Sequence, residues 1–448
     1  RGSKSLDFIE HQQELTTLVD NILSEAKRQG ADQAEVSASM ERGLGVSVRK
    51  GELENLEFNQ DRGFGITLYV GKRKGSASTT DSSPDAIRET VAAAKGIASH
   101  TEEDPFSGLA EASLMPTQSV DLDLYHPWDI EPEQATAMAV ECEAAGLSVD
   151  KKLTNSDGAQ ISSQQALRVY GNSHGFIGAY PSTRHSMSCV LIGEDNDGMQ
   201  RDYWYSLSRR WQELESAVDI GVKAGERTVQ RLSPQKAPTG KYPVVLAPNL
   251  AAGLIGHLNG AISGGSQYRK ASFLLDALGQ QVLPSWLSLR EESQMSGGLA
   301  SAYFDGDGVA TRNNVFVESG NLASYILSSY SARKLGLATT GNAGGVHNLH
   351  LDAPMQPLSA LLAQMGNGFF ITELMGQGVN GVTGDYSRGA SGYWVENGEI
   401  AYPVAEFTLA GNLKDMLLNI VALADDIDVR SSILAPSMLL ESMTVAGQ

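Results

Sequence analysis

Cysteine is almost absent. Only Cys142 and Cys189 occur in 448 residues, which excludes a disulfide framework and a Cys-x-x-Cys metal knuckle. Basic charge is scarce as well: 34 Lys and Arg face 53 Asp and Glu, a net charge of −19. A chain so acidic repels a polyanion unless a local basic patch overcomes the field. The densest basic cluster, Lys72-Arg73-Lys74, lies between two glycines and reads as a hairpin tip, so no nucleic-acid partner is expected. Long apolar runs are missing too. Tyr242 to Gln267 holds no Asp, Glu, Lys or Arg, but Pro243, Pro248, Asn249, His257 and Asn259 interrupt it. An isolated membrane span carries such a polar load only at high cost, so a helix buried in a globular domain is expected, and no membrane partner. Arg1 to Glu10 contains Asp7 and Glu10 and no apolar stretch, which predicts no signal peptide and a cytoplasmic chain.

What is present points to a folded chain of two or three domains. Hydrophobic residues make up 41% and charged residues 19%, against roughly 25% charged in an average domain. Leu15, Leu18, Val19, Ile22, Leu23 and Ala26 repeat at helical spacing, and Gly30 stands where a glycine would end that helix. Alternation at Leu44, Val46, Val48 and at Phe64, Ile66, Leu68, Val70 predicts strands, joined through 71–75 to a further strand at 76–79. Ser83 with Pro84 opens a second helix. The poorly periodic 103–132 leads to a helix at 133–145 and a strand-rich block at 160–207, with turns expected at 170–172, 180–182 and 195–198. A helix is expected at 211–232, then a Pro/Gly/Ser linker at 233–240. Beyond it, glycine-dense short alternating runs predict antiparallel strands punctuated by helices at 250–262, 319–335 and 413–424. The class is α+β: an N-terminal α/β sandwich-like region with a mixed sheet and covering helices, then a C-terminal β-rich barrel or sandwich with a buried helix. Segments 1–102, 103–232 and 241–448 are the expected domains.

Chemical motifs are mostly deceptive. Gly171-Asn172-Ser173-His174-Gly175 spells a nucleophile elbow, but strand and turn residues follow it where a helix is required. His347, His350 and Asp352 form a compact donor set, yet the surrounding glycines and Pro354 argue against the helix that would put both imidazoles on one face. Asp305-Gly306-Asp307-Gly308 and Asp195-Asn196-Asp197-Gly198 lack the distal glutamate of a calcium loop and read as turns. Leu250 to Ile262 is small and apolar nearly all round, so it should be buried, leaving His257 and Asn259 as buried polar groups that need partners.

A long segment is far more specific. Phe370-Ile371-Thr372-Glu373-Leu374-Met375-Gly376-Gln377-Gly378-Val379-Asn380 continues through Thr383-Gly384-Asp385-Tyr386-Ser387-Arg388-Gly389-Ala390-Ser391-Gly392 to Tyr393-Trp394-Val395-Glu396-Asn397-Gly398, with Ala410-Gly411-Asn412-Leu413 beyond. In this segment the chain resembles the TldD/PmbA proteins, and specifically their PmbA (TldE) branch. The resemblance extends over the whole chain, including the 238–246 entry. It implies one subunit of a cytoplasmic two-chain metalloprotease that trims leader peptides and turns over a labile antitoxin. The TldD-type chain of such a pair carries a zinc helix, H-E-x-x-x-H, and a later cysteine ligand.

Carried onto this sequence, the zinc positions are Gly256 and Ala261, the general-base position is His257, and Ser431 or Ser432 stands near the cysteine position. Glycine and alanine offer no lone pair to a metal. The resemblance therefore implies a subunit with no catalytic residues and no metal of its own, paired with a zinc-bearing TldD-type chain and enclosing an unfolded or extended peptide. A homodimer of this chain alone is compatible with the same reading. His257, Asn259, Glu373, Asp385, Arg388 and Glu396 are the candidates for a substrate or partner groove, since charges among apolar, glycine-rich strands are usually paired or at a site. Two rival readings stand beside this one: an autonomous metalloprotease using other ligands, and a binding regulator without proteolysis.

Overall fold

The computed structural model describes residues 3–447. Helix α1 (Ser3–Arg28) buries Leu15, Leu18, Val19, Ile22 and Ala26 along one face, and Gly30, at φ +96°, turns the chain into the sheet. Strands β1 (Gln33–Arg49), β2 (Glu52–Val70) and β3 (Arg73–Thr79) follow. The β2–β3 turn is tighter than 71–75, because Val70 already pairs with Arg73. Helix α2 (Pro84–His100) is capped by Ser83, whose Oγ accepts from the Ala86 N–H at 3.2 Å. After the irregular connection come α3 (Pro132–Leu147), β4 (Leu153–Asn172), β5 (Ile177–Asp195), β6 (Gly198–Ser208) and α4 (Ala217–Gln230).

The six strands form one sheet in the order β3-β2-β1-β4-β5-β6. Every pairing in it is antiparallel, and the parallel pairs lie in the C-terminal half instead. All four helices cover the same face. Helices α1 and α2 pack over one end of the sheet and α3 and α4 over the other, giving two apolar clusters. The opposite face meets the C-terminal half through Tyr170, Phe176, Tyr180, Tyr303 and Phe304. The expected turns at 170–172 and 180–182 are strand instead, and the chain reverses at 173–176. Pro181 is tolerated within β5 because β6 pairs only with 185–195, so the strand is an edge where the proline sits.

In the C-terminal half, β7 (Gly240–Leu246) leads into helix α5 (Pro248–Ala261). Strands Gly368–Met375, Asp385–Glu396, Glu399–Asn412 and Met438–Gly447 pair in series, and the last also pairs with β7, closing the ring. Against the ring, α5 buries Leu254, Ile255 and Leu258, each contributing about 1.5–3 kcal/mol. A smaller sheet includes Ser288–Glu292, Val315–Glu318 and Asn348–Asp352. Two expected helices are shorter than their sequence pattern. Ser319 and Gly320, both at positive φ, make a turn between paired strands, so only Ser329–Leu335 is helical. Leu413–Leu418 is helix, but Ile420–Ala424 pairs as a strand with the C-terminal strand.

Candidate functional site

Helix α5 is buried on the side of Leu254, Ile255 and Leu258, but it is not enclosed all round. Asn249, Gly253 and Gly260 are exposed and Gly256 is half-buried, and a Cβ at any of the three glycines would meet nothing within 4 Å among the described residues. These positions recur at helical spacing, so they form one open stripe. Gly256 lies on it. Ala261 is buried instead, and its carbonyl accepts from Gln267 Nε2 at 2.9 Å and Ser272 Oγ at 2.7 Å. His257 is half-buried and stands edge-on to Tyr386, with ring centroids 6.5 Å apart. Burial, and then the nearby Arg388 guanidinium, hold its imidazole below its ordinary pKa. Asn259 Oδ1 is buried without a hydrogen-bond partner among the described residues.

The other sequence candidates scatter. Arg388 donates from Nε to the Gly376 carbonyl at 3.2 Å, and it makes no ion pair with a carboxylate among the described residues. Glu373 pairs across the two halves with Arg231, at 2.8 Å. Asp385 and Glu396 stand exposed at opposite ends of one strand. Of the six, only His257 and Arg388 come together, around Tyr386.

The motif donors are engaged elsewhere. Buried Glu291 accepts from His347 Nδ1 at 3.0 Å, the His347 N–H, Asn314 Nδ2 and Asn342 Nδ2. His350 Nε2 meets Glu292 at 3.0 Å, and Asp352 meets Arg290 at 2.7 Å. Ser173 Oγ accepts from the Ala34 N–H, as a turn residue would. Asp305 and Asp195 accept backbone N–H groups of their own turns.

A cleft of about 900 Å³ opens beside the first turn of α5, between β6 and α4 on one side and the C-terminal half on the other. Its lining includes Pro248, Asn249, His350, Thr372 and Ser431. Three successive outward carbonyls of β6 are occupied by arginines: Arg231 on Arg201 at 2.8 Å, Arg227 on Tyr203 at 3.1 Å, Arg430 on Tyr205 at 3.0 Å. This edge is therefore blunted against strand addition. Trp204 holds three cations near its ring, Lys223 Nζ at 3.7 Å, Arg430 Cζ at 3.9 Å and Arg227 Cζ at 5.3 Å. Burial opposes ionisation of Asp428, but two bonds from Arg430, at 2.9 Å each, outweigh it and hold the carboxyl below its ordinary pKa. Among the lining cations Lys223 alone makes no hydrogen bond or ion pair with the described residues, and burial lowers its pKa.

This aromatic and cationic ledge was not singled out by sequence reasoning. The consecutive Tyr203-Trp204-Tyr205 was its visible signal, but Lys223 and Arg430 reach it from distant segments.

The zinc fit can be tested directly. Gly256 and Ala261 have no donor atom, His257 stands against Tyr386, and Ser431 Oγ accepts from the Ile433 N–H. Among the described residues no three His, Cys, Asp or Glu side chains converge as a ligand set. The residues present do not fit a zinc centre at this place.

Comparison with known proteins agrees with the motif. Sequence profiles of PmbA/TldA metallopeptidase domain 1, central domain and C-terminal domain match residues 34–98, 125–232 and 239–447. A protein named Metalloprotease PmbA from Escherichia coli O157:H7 is 50% identical over 93% of each chain. A crystal structure of a candidate modulator of DNA gyrase from Bacteroides thetaiotaomicron superposes with a TM-score of 0.92 at 26% identity, covering 97% of this chain and 99% of that one. TldE from Thermococcus kodakarensis shares the fold, with a TM-score of 0.84 at 19% identity over 96% of this chain and 100% of that one.

Proposed function

The chain belongs to the PmbA/TldD metallopeptidase family, and from that premise we propose that it is the non-catalytic, PmbA/TldE-type subunit of a two-chain cytoplasmic metallopeptidase. The zinc belongs to a TldD-type partner. The pair acts on unfolded or extended peptides, in leader-peptide removal and antitoxin turnover. The observation that supports this reading is the open stripe of α5: at Gly256, which the family resemblance aligns with a ligand position, an added Cβ would meet nothing within 4 Å among the described residues. A helix kept in place, with its ligand side chains replaced by hydrogen and methyl, retains architecture and loses metal affinity.

The groups of this chain that remain are suited to holding a peptide. The Tyr203-Trp204-Tyr205 ledge offers apolar area, and Lys223 offers an unpaired cation for a carboxylate. Arg388 and Tyr386 of the signature strand and His257 of α5 form a polar group that can orient a partner's residues. The name of the Escherichia coli relative favours a second reading, in which this chain cleaves peptides by itself. The engagement of His347, His350 and Asp352 with Glu291, Glu292 and Arg290 speaks against their serving as its ligands.

Metal content separates the two readings. The purified chain and its complex with a TldD-type chain are assayed by plasma mass spectrometry and for cleavage of an unfolded peptide. Zinc and cleavage are expected only in the complex. Stoichiometric zinc together with peptidase activity in the isolated chain overturns the proposal.

A further inference from the structure

Strand β2 is longer than its neighbour on the outer side. Strand β3 pairs with it only from Phe64 to Val70, so Glu52 to Gly63 present an open backbone edge. The exposed segment is not uniformly polar. Leu53, Leu56 and Phe58 pair with Val48, Val46 and Leu44 of β1, which puts them on the helix-covered face, beyond the reach of that cover. They are 48%, 40% and 70% exposed. Such an apolar row on an unpaired edge is a template for a further strand, and proteins without a use for one usually blunt it. The arginines on the β6 carbonyls show that blunting at the other edge of the same sheet.

The other face of this edge is acidic. Glu57 and Asp61 lie on it, and Asp61 faces Glu41 directly across the ladder. Like charges opposite one another destabilise a strand pair, and none of the three forms an ion pair with the described residues. The edge is also held firmly. Glu143, 1% exposed, accepts the Lys50 and Gly51 N–H groups at 3.0 and 2.7 Å and Ser156 Oγ at 2.6 Å, which fixes the β1–β2 turn from beneath.

We infer that the β2 edge over 52–62 is a docking site for an extended polypeptide segment that alternates apolar and basic residues. The added strand lays its apolar residues beside Leu56 and Phe58 and its basic residues beside Glu57 and Asp61. A second copy of this chain is the wrong occupant, because β2 against β2 brings the acidic rows together. The site lies on the N-terminal sheet, apart from the cleft, and does not depend on whether the chain cleaves anything.

The test is fluorescence anisotropy with labelled synthetic peptides and the full chain. An alternating Val–Lys peptide is expected to bind about tenfold more tightly than the matching Val–Glu peptide. Its fully N-methylated form, which cannot donate along an edge, should not bind. The double variant L56D/F58D should weaken the Val–Lys peptide by about tenfold, and E57K/D61K should invert the preference to Val–Glu. All these side chains are exposed, so thermal melts should match the parent chain. Equal binding of the N-methylated peptide, no saturation by either peptide, or indifference to both variants overturns the assignment. So does self-association of the chain that L56D/F58D abolishes, since the edge would then serve a second copy.

Discussion

Glu35 is an unusual carboxyl. It sits on β1 facing the loop of Asp305 and Asp307, and burial pushes its pKa up to about 7, with the two aspartates adding to the shift and the Tyr170 hydroxyl, donating at 2.7 Å, opposing it. Asp305 rises to about 6, again chiefly by burial and then by Asp307. An acid whose pKa is raised by folding binds its proton more tightly in the native state than in the unfolded chain. Its contribution is complete below the ordinary value near 4.5 and is lost as pH climbs through about 7. Stability should therefore fall between pH 5 and pH 8. Replacing Glu35 by Gln removes most of that slope and makes the protein more stable at pH 8, by about 2–3 kcal/mol. The net charge of −19 adds a slope of its own, so the quantity to compare is the difference between the two proteins across a series of melts. Parallel curves would show that Glu35 does not carry this dependence. Nothing local marks the residue, since its environment is made by a loop far along the chain.

At the scale of elements, α5 combines a weak helix composition with a firm position. Gly253, Gly256 and Gly260 each cost the helix up to about 1 kcal/mol relative to alanine, through backbone freedom in the unfolded chain. None has a neighbour within 4 Å of an added Cβ among the described residues, so no packing among them requires glycine there. Converting all three to alanine should raise the unfolding free energy measured by urea titration, by about 1–3 kcal/mol in total. If the chain joins a TldD-type partner as proposed and the stripe faces that partner or a peptide, the same variant loses cleavage by the pair while gaining stability. A variant that is destabilised would mean that the glycines are held by contacts within the chain. The helix itself was legible from its uncharged, small-residue run. Its open side was not, because apolar composition all round cannot say which neighbours end short of it.

The molecule as a whole is tied together by arginines acting on backbone carbonyls. Arg333, on the short helix Ser329–Leu335, donates to the carbonyls of Phe106, Gly108 and Leu109 at 3.2, 3.0 and 2.6 Å and meets Glu111 at 3.1 Å. Arg209 reaches Gly298 and Leu299 at 2.8 and 2.6 Å, and Arg231 reaches Glu373. The irregular 103–132 is thus a clasp between the halves, fixed by partners outside its own sequence. Substituting Arg333 by Ala should cost about 2–3 kcal/mol and speed amide exchange of residues 105–111, read by mass spectrometry after deuterium labelling. Unchanged exchange there would mean that the clasp holds without this side chain.

Local pattern was enough for what depends on neighbours in sequence. Helical spacing placed α1, Ser83 with Pro84 started α2, and the signature from Phe370 to Asn412 carried the family. Prolines and turn residues misled where context ruled: Pro181 lies inside a strand because the next strand starts too late to need its nitrogen. Tertiary structure alone decided which charges meet. Glu373 chose Arg231 over Arg388, Glu291 took His347 out of any ligand set, and Lys223 joined Arg430 at Trp204. Electrostatic pairing depends on separation in space and on burial, and a linear pattern contains neither until the sheets and helices have set the distances.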